Sequence, residues 1–196
     1  MLIVVSGASG TGKGTVLKAL LDAKPELKYS VSATTREPRP GEKNGVNYHF
    51  LSREEFEDEI AADGFLEWAD VYGNYYGTLK REIDKHIAEG EDVLLEIDTQ
   101  GALKVMEKCP DGVFVFLLPP SREELRRRLT GRGTETAEAV EKRLNAAAKE
   151  IDCGKRYKYV VVNDEVEKAV DRIAAIITAE GLAVSRNAHV WNEVTK

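Results

Sequence analysis

The residues with the clearest chemistry lie close to the N-terminus: Gly7-Ala8-Ser9-Gly10-Thr11-Gly12-Lys13-Gly14-Thr15. Glycines at 7, 10, 12 and 14 let the chain curl until successive N–H groups converge on one centre. Converging donors at the head of a helix hold phosphate oxygens, and Lys13 adds a mobile ammonium for the outer phosphates of a polyphosphate. The apolar run Leu2-Ile3-Val4-Val5 precedes the loop and a helical pattern follows it, which is the context that P-loop spacing requires. An ordinary Gly-rich strand-to-helix turn is the plainer alternative, and the lysine argues against it. One position departs from the usual pattern. Gly14 stands directly after the lysine, where a Ser or Thr is usual, and the hydroxyl comes one residue later at Thr15.

A phosphoryl donor needs an acceptor. The stretch Thr34 to Glu42 carries Arg36 and Arg39 in a Pro/Gly-rich loop, and guanidinium forks bind phosphate in pairs of hydrogen bonds. Tyr48 and Tyr76 can donate to the same anion. Glu67 and Asp98 are acids, and Ser32 and Thr78 are hydroxyls, in the same part of the chain or at its edge. Guanine offers two N–H donors to carboxylates and an oxygen acceptor to hydroxyls; adenine does not suit two carboxylates. Leaving a buried polar group unpaired costs about 1–3 kcal/mol, so such a set discriminates between bases. Each residue also has a plainer reading alone. The arginines can be solvated loop charges, the tyrosines strand-packing aromatics, and Glu67 an exposed strand residue. Asp98 can cap the next helix, and Asn163-Asp164 reads first as a helix cap.

The elements that position these groups follow from hydrophobic periodicity. Buried strands are expected at Leu2 to Ser6, Tyr29 to Ala33, Asp92 to Asp98, Val113 to Leu118 and Tyr159 to Val162. Helical patterns run from Lys13 to Asp22, Leu79 to Glu89, Thr99 to Met106, Ala137 to Asp152 and Glu165 to Glu180, with another behind Ser121. Ser52 with Glu55, and Ser121 with Glu124, have capping-box spacing. Phe65 to Tyr72 and Tyr75 to Thr78 flank Gly73-Asn74 as a hairpin. Short apolar strands alternating with helices predict an α/β fold, a five-stranded parallel sheet with helices on both faces. Ligands sit beyond the strand C-terminal ends of such sheets, where the P-loop, Glu96, Asp98 and Asn163-Asp164 all fall. The tail from Leu182 is polar and weakly patterned, and is expected to be partly ordered at best.

Bulk properties narrow the classes. The chain has 196 residues, 42% hydrophobic and 32% charged, which suits one compact domain with small inserted lobes. Its net charge of -6 gives no global basic field, so a nucleic-acid partner is not expected. No apolar run approaches membrane-span length, and the four-residue run at the start is too short for a signal peptide. Cys109 and Cys153 are expected to be free thiols in a cytoplasmic protein.

Taken together, these segments resemble guanylate kinase, a P-loop nucleoside monophosphate kinase family. The resemblance covers residues 1–181. It rests on the P-loop, Ser32 to Glu42, Asn44-Gly45 before Tyr48-His49-Phe50, Phe65-Leu66-Glu67-Trp68-Ala69, Gly73 to Thr78, Glu96 to Gly101 and Gly131 to Thr136. It implies a P-loop three-layer sandwich with a core of 1–33, 79–120 and 141–181, a β-rich GMP-binding lobe at 34–78, and a helical lid at 121–140, leaving 182–196 as a tail. It implies ATP on Gly7 to Thr15, with Asn163 and Asp164 near the adenine. Arg36, Arg39, Tyr48 and Tyr76 would hold the GMP phosphate, with Glu42 bracing that pocket. Ser32, Glu67, Thr78 and Asp98 would read guanine. Lys13, Arg36, Arg132 and Arg143 would act on the transferring phosphoryl group, joined by Arg128. Mg²⁺ is the implied cofactor, reached through Thr15, Glu96 and Asp98, in part through water, and the implied state is a monomer or homodimer. Two other classes fit parts of this pattern. One is a non-catalytic guanylate-kinase-like binding module, which typically has a degraded P-loop. The other is a related P-loop kinase with a different acceptor.

Overall fold

The computed structural model describes residues 1–71, 73–130 and 137–194. Its larger sheet joins β1 (Leu2–Ser6), β2 (Lys28–Tyr29), β7 (Val93–Glu96), β8 (Val113–Leu118) and β9 (Tyr159–Val162), all parallel, in the order β2-β7-β1-β8-β9. β1 is central, and the chain reverses direction across the sheet there, so the loop after β1 opens into the crevice where ligands sit. Strand alternation splits β1 between two cores. Ile3 and Val5 pack with Val16, Leu17 and Leu20 of α1 (Lys13–Ala23) and with Ile173 of α7 (Val166–Gly181). Leu2 and Val4 face Ile83 of α3 (Lys80–Ala88) and Ala102 and Val105 of α4 (Thr99–Lys108). Helices therefore cover both faces, as the sequence pattern implied.

The smaller sheet has four strands in the order β4-β3-β6-β5. β3 (Ala33–Thr34) lies parallel to β4 (His49–Phe50) and antiparallel to β6 (Asn74–Leu79), which forms a hairpin with β5 (Phe65–Val71). Gly73 turns that hairpin at φ 84°, a left-handed value that suits glycine. Beneath the sheet, Phe56 of α2 (Arg53–Ala61) stacks on Phe65 with ring centroids 4.2 Å apart.

One expected strand is divided. Tyr29 to Ala33 read as a single strand, but the chain leaves the large sheet after Tyr29 and enters the small one at Ala33. Ser30 N donates to Leu94 O of the large sheet at 2.9 Å, and Ser32 O accepts from His49 N of the small sheet at 2.9 Å. Val31 alone lies between the two bonds.

Helix ends show two further differences. Ser52 and Glu55 make the full reciprocal capping box at α2. At α5 (Arg122–Thr130), Ser121 Oγ accepts from Glu124 N at 3.1 Å, but the Glu124 carboxylate turns to Arg127 and Arg128. α7 begins without a side-chain cap: Glu165 stands at its N-cap with its carboxylate on Lys168 at 2.7 Å, and Asp164 before it pairs with Arg172 at 2.7 Å. The tail is more regular than expected. A 3-10 turn at Val184–Arg186 leads into α8 (Ala188–Val194), and Asn187 Nδ2 donates to Gly181 O at 2.7 Å and Ala183 O at 2.9 Å. Among the described residues no helix is long and apolar enough to cross a membrane.

Candidate active site

The loop between β1 and α1 is shaped by left-handed glycines at Gly10 (φ 84°) and Gly12 (φ 86°). Space is also tight. A Cβ at Gly12 would lie 2.7 Å from Asn163 Nδ2, and one at Gly7 would lie 2.5 Å from Leu117 O. At Gly14 a Cβ would meet nothing within 4 Å, so packing does not demand glycine there. Lys13 folds back over the loop and donates to Gly7 O at 2.6 Å. Burial lowers its pKa, and the negative charges of Glu96, Glu150 and Asp98 oppose that shift.

The back of the loop is braced by side chains. Thr11 O accepts from Asn163 Nδ2 at 2.8 Å and from Arg128 Nη1 at 3.1 Å. Arg128 also donates to Asn163 O at 3.0 Å and to Glu124 at 2.7 Å. Arg128 and the Asn163 amide, expected on the nucleotide, therefore support the loop's backbone. Asp164 is an exposed partner of Arg172, which pulls its carboxyl down to about 2. Of the two arginines expected on the transferring group, Arg132 lies outside the described residues. Arg143 of α6 (Ala137–Cys153) reaches Leu129 O at 3.4 Å.

The residues expected to bind the acceptor gather where the two sheets meet. Ser32, Tyr48, Glu67, Tyr76 and Asp98 line a cavity of about 230 Å³. A neighbouring cavity of about 300 Å³ shares Ser32, Tyr48, Glu96 and Asp98 and is also lined by Lys13 and Tyr29. The P-loop lysine and the acids Glu67 and Asp98 thus line two adjoining cavities with residues in common. Glu67 is 8% exposed, and its carboxylate accepts from Thr78 Oγ1 at 2.8 Å. Burial pushes the Glu67 pKa up despite that bond. Thr78 is fully buried and does not line the cavity; it acts through Glu67. Asp98 satisfies both readings of its position: it lines the cavity and caps α4, accepting from Gly101 N at 2.7 Å. Glu96 is also raised by burial, with Lys13 opposing. Beside it burial drives the Tyr29 phenol to about 12.

The residues expected at the acceptor's phosphate are paired with one another. Arg36 pairs with Glu42 at 3.0 Å and lies 5.4 Å from the Tyr48 ring centroid. Glu42 also accepts from Arg39 N at 2.8 Å, the largest of the causes that lower its pKa. The exposed Arg39 guanidinium makes no hydrogen bond or ion pair among the described residues. Tyr48 and Tyr76 meet edge to face with centroids 5.9 Å apart.

Residues that sequence reasoning did not mark as site residues also touch this region. Glu150 Oε2 accepts from Ser9 N at 3.0 Å across 141 positions of chain. No local pattern pointed to it, because it reads as one more charge on a solvated helix. Tyr29 could have been found as the polar C-terminal end of an edge strand.

A parallel sheet with a P-loop beyond its central strand, facing a second pocket lined by tyrosines and acids with Arg36 beside Tyr48, defines a P-loop phosphotransferase. Comparison with known proteins sharpens that class. The guanylate kinase family model matches residues 1–180, so the chain belongs to the guanylate kinase family. It is 55% identical to a guanylate kinase of Caldanaerobacter subterraneus subsp. tengcongensis, with 99% of this chain and 94% of that protein aligned. It is 58% identical to one from Halalkalibacterium halodurans over 92% of this chain and 88% of that protein. The crystal structure of guanylate kinase from Anaplasma phagocytophilum superposes with a TM-score of 0.75 at 38% identity, covering 94% of this chain and 88% of that one. A shikimate kinase from Bacteroides thetaiotaomicron, at 21% identity and a TM-score of 0.53, shares the fold.

Proposed function

We propose that this chain transfers the γ-phosphoryl group of ATP to GMP, forming ADP and GDP, and that it uses dGMP as well. The observation that carries the assignment is the pair of adjoining cavities, one lined by Lys13 and the other by Glu67, with Asp98 lining both. A GMP oriented with its base on those acids and its phosphate near Arg36, Arg39, Tyr48 and Tyr76 points that phosphate toward the P-loop. Its oxygen attacks the γ-phosphorus, a P–O bond forms, and the bond to the ADP oxygen breaks. No protein nucleophile is needed, so catalysis is alignment and charge neutralisation. Gly7 to Thr15 supply N–H donors, Lys13 the mobile cation, and Arg36, Arg132 and Arg143 further positive charge. Asn163 acts from behind by holding Thr11 O. Ser32, Glu67 and Asp98 read the guanine edge, with Thr78 orienting Glu67.

The donor set fits Mg²⁺ as a shared ligand. Among the described residues the three-group cluster of His, Cys, Asp or Glu close enough to cage an ion is His86, Glu89 and Glu91, whose Glu91 neighbours Lys28 at the opposite end of the strands. Glu96 and Asp98 offer only two carboxylates beside the P-loop, which suits an ion that keeps waters and takes phosphate oxygens. With Gly14 lacking a hydroxyl, Thr15, Glu96 and Asp98 would hold it, in part through water. When bound, Mg²⁺ neutralises charge on the transferring phosphates.

A coupled ADP-release assay with GMP, dGMP, AMP, UMP and dTMP tests the reading. GMP is expected to be the best acceptor, with dGMP also used. Equal rates with AMP would overturn the base assignment.

A further inference from the structure

Glu150 has no role in the mechanism above, yet its carboxylate sits on a P-loop amide. It reaches Ser9 N from α6, which packs Leu144 and Ala147 in one apolar cluster with Ala8 of the loop itself. Its charge also reaches Lys13, alongside Glu96 and Asp98. A carboxylate oxygen accepts from backbone N–H groups and pairs with an ammonium as a phosphate oxygen does. The donor at Ser9 is exposed, so a soluble anion can reach it.

We propose that Glu150 is an internal competitor for the phosphate nest, a carboxylate that occupies part of the P-loop when it is empty and is displaced by the polyphosphate of the donor nucleotide. This rests on the assignment of Gly7 to Thr15 as the donor site. Two like-charged groups cannot share one amide and one lysine without repulsion, so binding of the polyphosphate expels the carboxylate. Arg143 lies seven positions earlier on α6, two turns along the same face. Expelling Glu150 leaves Arg143 as the formal charge on that face, which the transferring phosphates attract. The helix thus exchanges an anion at the empty loop for a cation at the filled one.

Equilibrium titration of the full chain with inorganic tripolyphosphate, with ATP and with GMP tests this. Wild type binds tripolyphosphate and ATP if the loop is the donor site; no binding of either would overturn that assignment and this proposal with it. Glu150→Gln removes the charge but keeps the shape. It is expected to bind tripolyphosphate and ATP about three- to tenfold more tightly, with GMP affinity unchanged. Glu150→Asp keeps the charge but shortens the reach, and is expected to fall between the two. Unchanged or weaker polyphosphate binding in a Glu150→Gln protein that melts like wild type would overturn the proposal. So would an equal change in GMP affinity, since that is what a structural role in placing α6 produces. Should Glu150→Gln fail to fold, the same polyphosphate-against-GMP comparison on Glu150→Asp decides.

Discussion

The two sheets bring different materials to the proposed anion sites. The large sheet is parallel and apolar, with Ile3, Val4 and Val5 fully buried, and it presents a loop whose ligand groups are mostly backbone N–H. The small sheet includes two strands of only two residues, buries Thr34, Glu67 and Thr78 among its apolar residues, and presents side chains. A backbone site binds any polyphosphate, because every peptide carries the same donor. A side-chain site tells one base from another, but it has to hold charges in places that burial disfavours. Glu67 shows that cost through its raised pKa.

Substitutions can break this contrast at either end. Lys13→Ala removes the charge that the backbone site cannot supply itself, and turnover is expected to fall by about 10³-fold or more while GMP binding persists. Steady-state kinetics with direct GMP titration would show it, and loss of GMP binding would mean that the two sites are not separate. Asp98→Asn keeps an oxygen to cap α4 but loses the charge proposed to face guanine. Its kcat/KM for GMP is expected to drop by about 10²-fold with ATP affinity intact, whereas Asp98→Ala also loses the cap, costing about 1 kcal/mol of stability. Matching losses for GMP and ATP would speak against Asp98 as a base reader.

Glu67→Gln sharpens the contrast in another way. The folded pKa of this acid is raised, so its ionised form costs stability. That cost is absent below the ordinary value near 4.5 and present in full above the raised one. The amide is therefore expected to raise the melting temperature at pH 7 by about 3 °C while GMP use falls, and the gain should vanish below pH 4.5. Thr15→Val is expected to raise the Mg²⁺ concentration for half-maximal rate by about tenfold; an unchanged requirement would remove Thr15 from the metal's surroundings. The smallest effect should come from Glu124→Gln in the brace behind the loop. Arg127 and Arg128 hold the Glu124 carboxyl down to about 2, so its contribution is complete above pH 4.5 and lost as pH falls toward 2. Acid unfolding of the variant should be flatter than wild type across that interval.

The contrast also explains what the sequence made legible. Gly10 and Gly12 announced the donor loop because their positive φ values and close neighbours demand glycine, a requirement written at fixed spacing. The apolar runs announced four strands of the large sheet and only the start of the fifth, since Tyr29 to Ala33 divides between the two sheets. The acceptor residues were readable as types that suit guanine, but their convergence was not, since Ser32, Glu67 and Asp98 come from three separate elements. The supports were silent. Asn163 reaches Thr11 across 152 positions and Glu150 reaches Ser9 across 141, and neither contact leaves a local pattern. The division of the second strand was hidden because Tyr29 to Ala33 carries no Gly or Pro to mark the change of sheet.

That division has a mechanical consequence. With Ser30 bonded to one sheet and Ser32 to the other, Val31 is a crossing one residue long, and the chain crosses back where β6 meets α3 at Leu79–Lys80. Rotation about these crossings displaces points in proportion to their distance from them. Ser32, which lines the acceptor cavity, stands at the axle of this lever and travels least. The far rim of the small sheet travels furthest. A base gripped beside Ser32 would keep its seat while the rest of the lobe swings over it, and a bulkier or stiffer residue at position 31 would act as a stop on the arc.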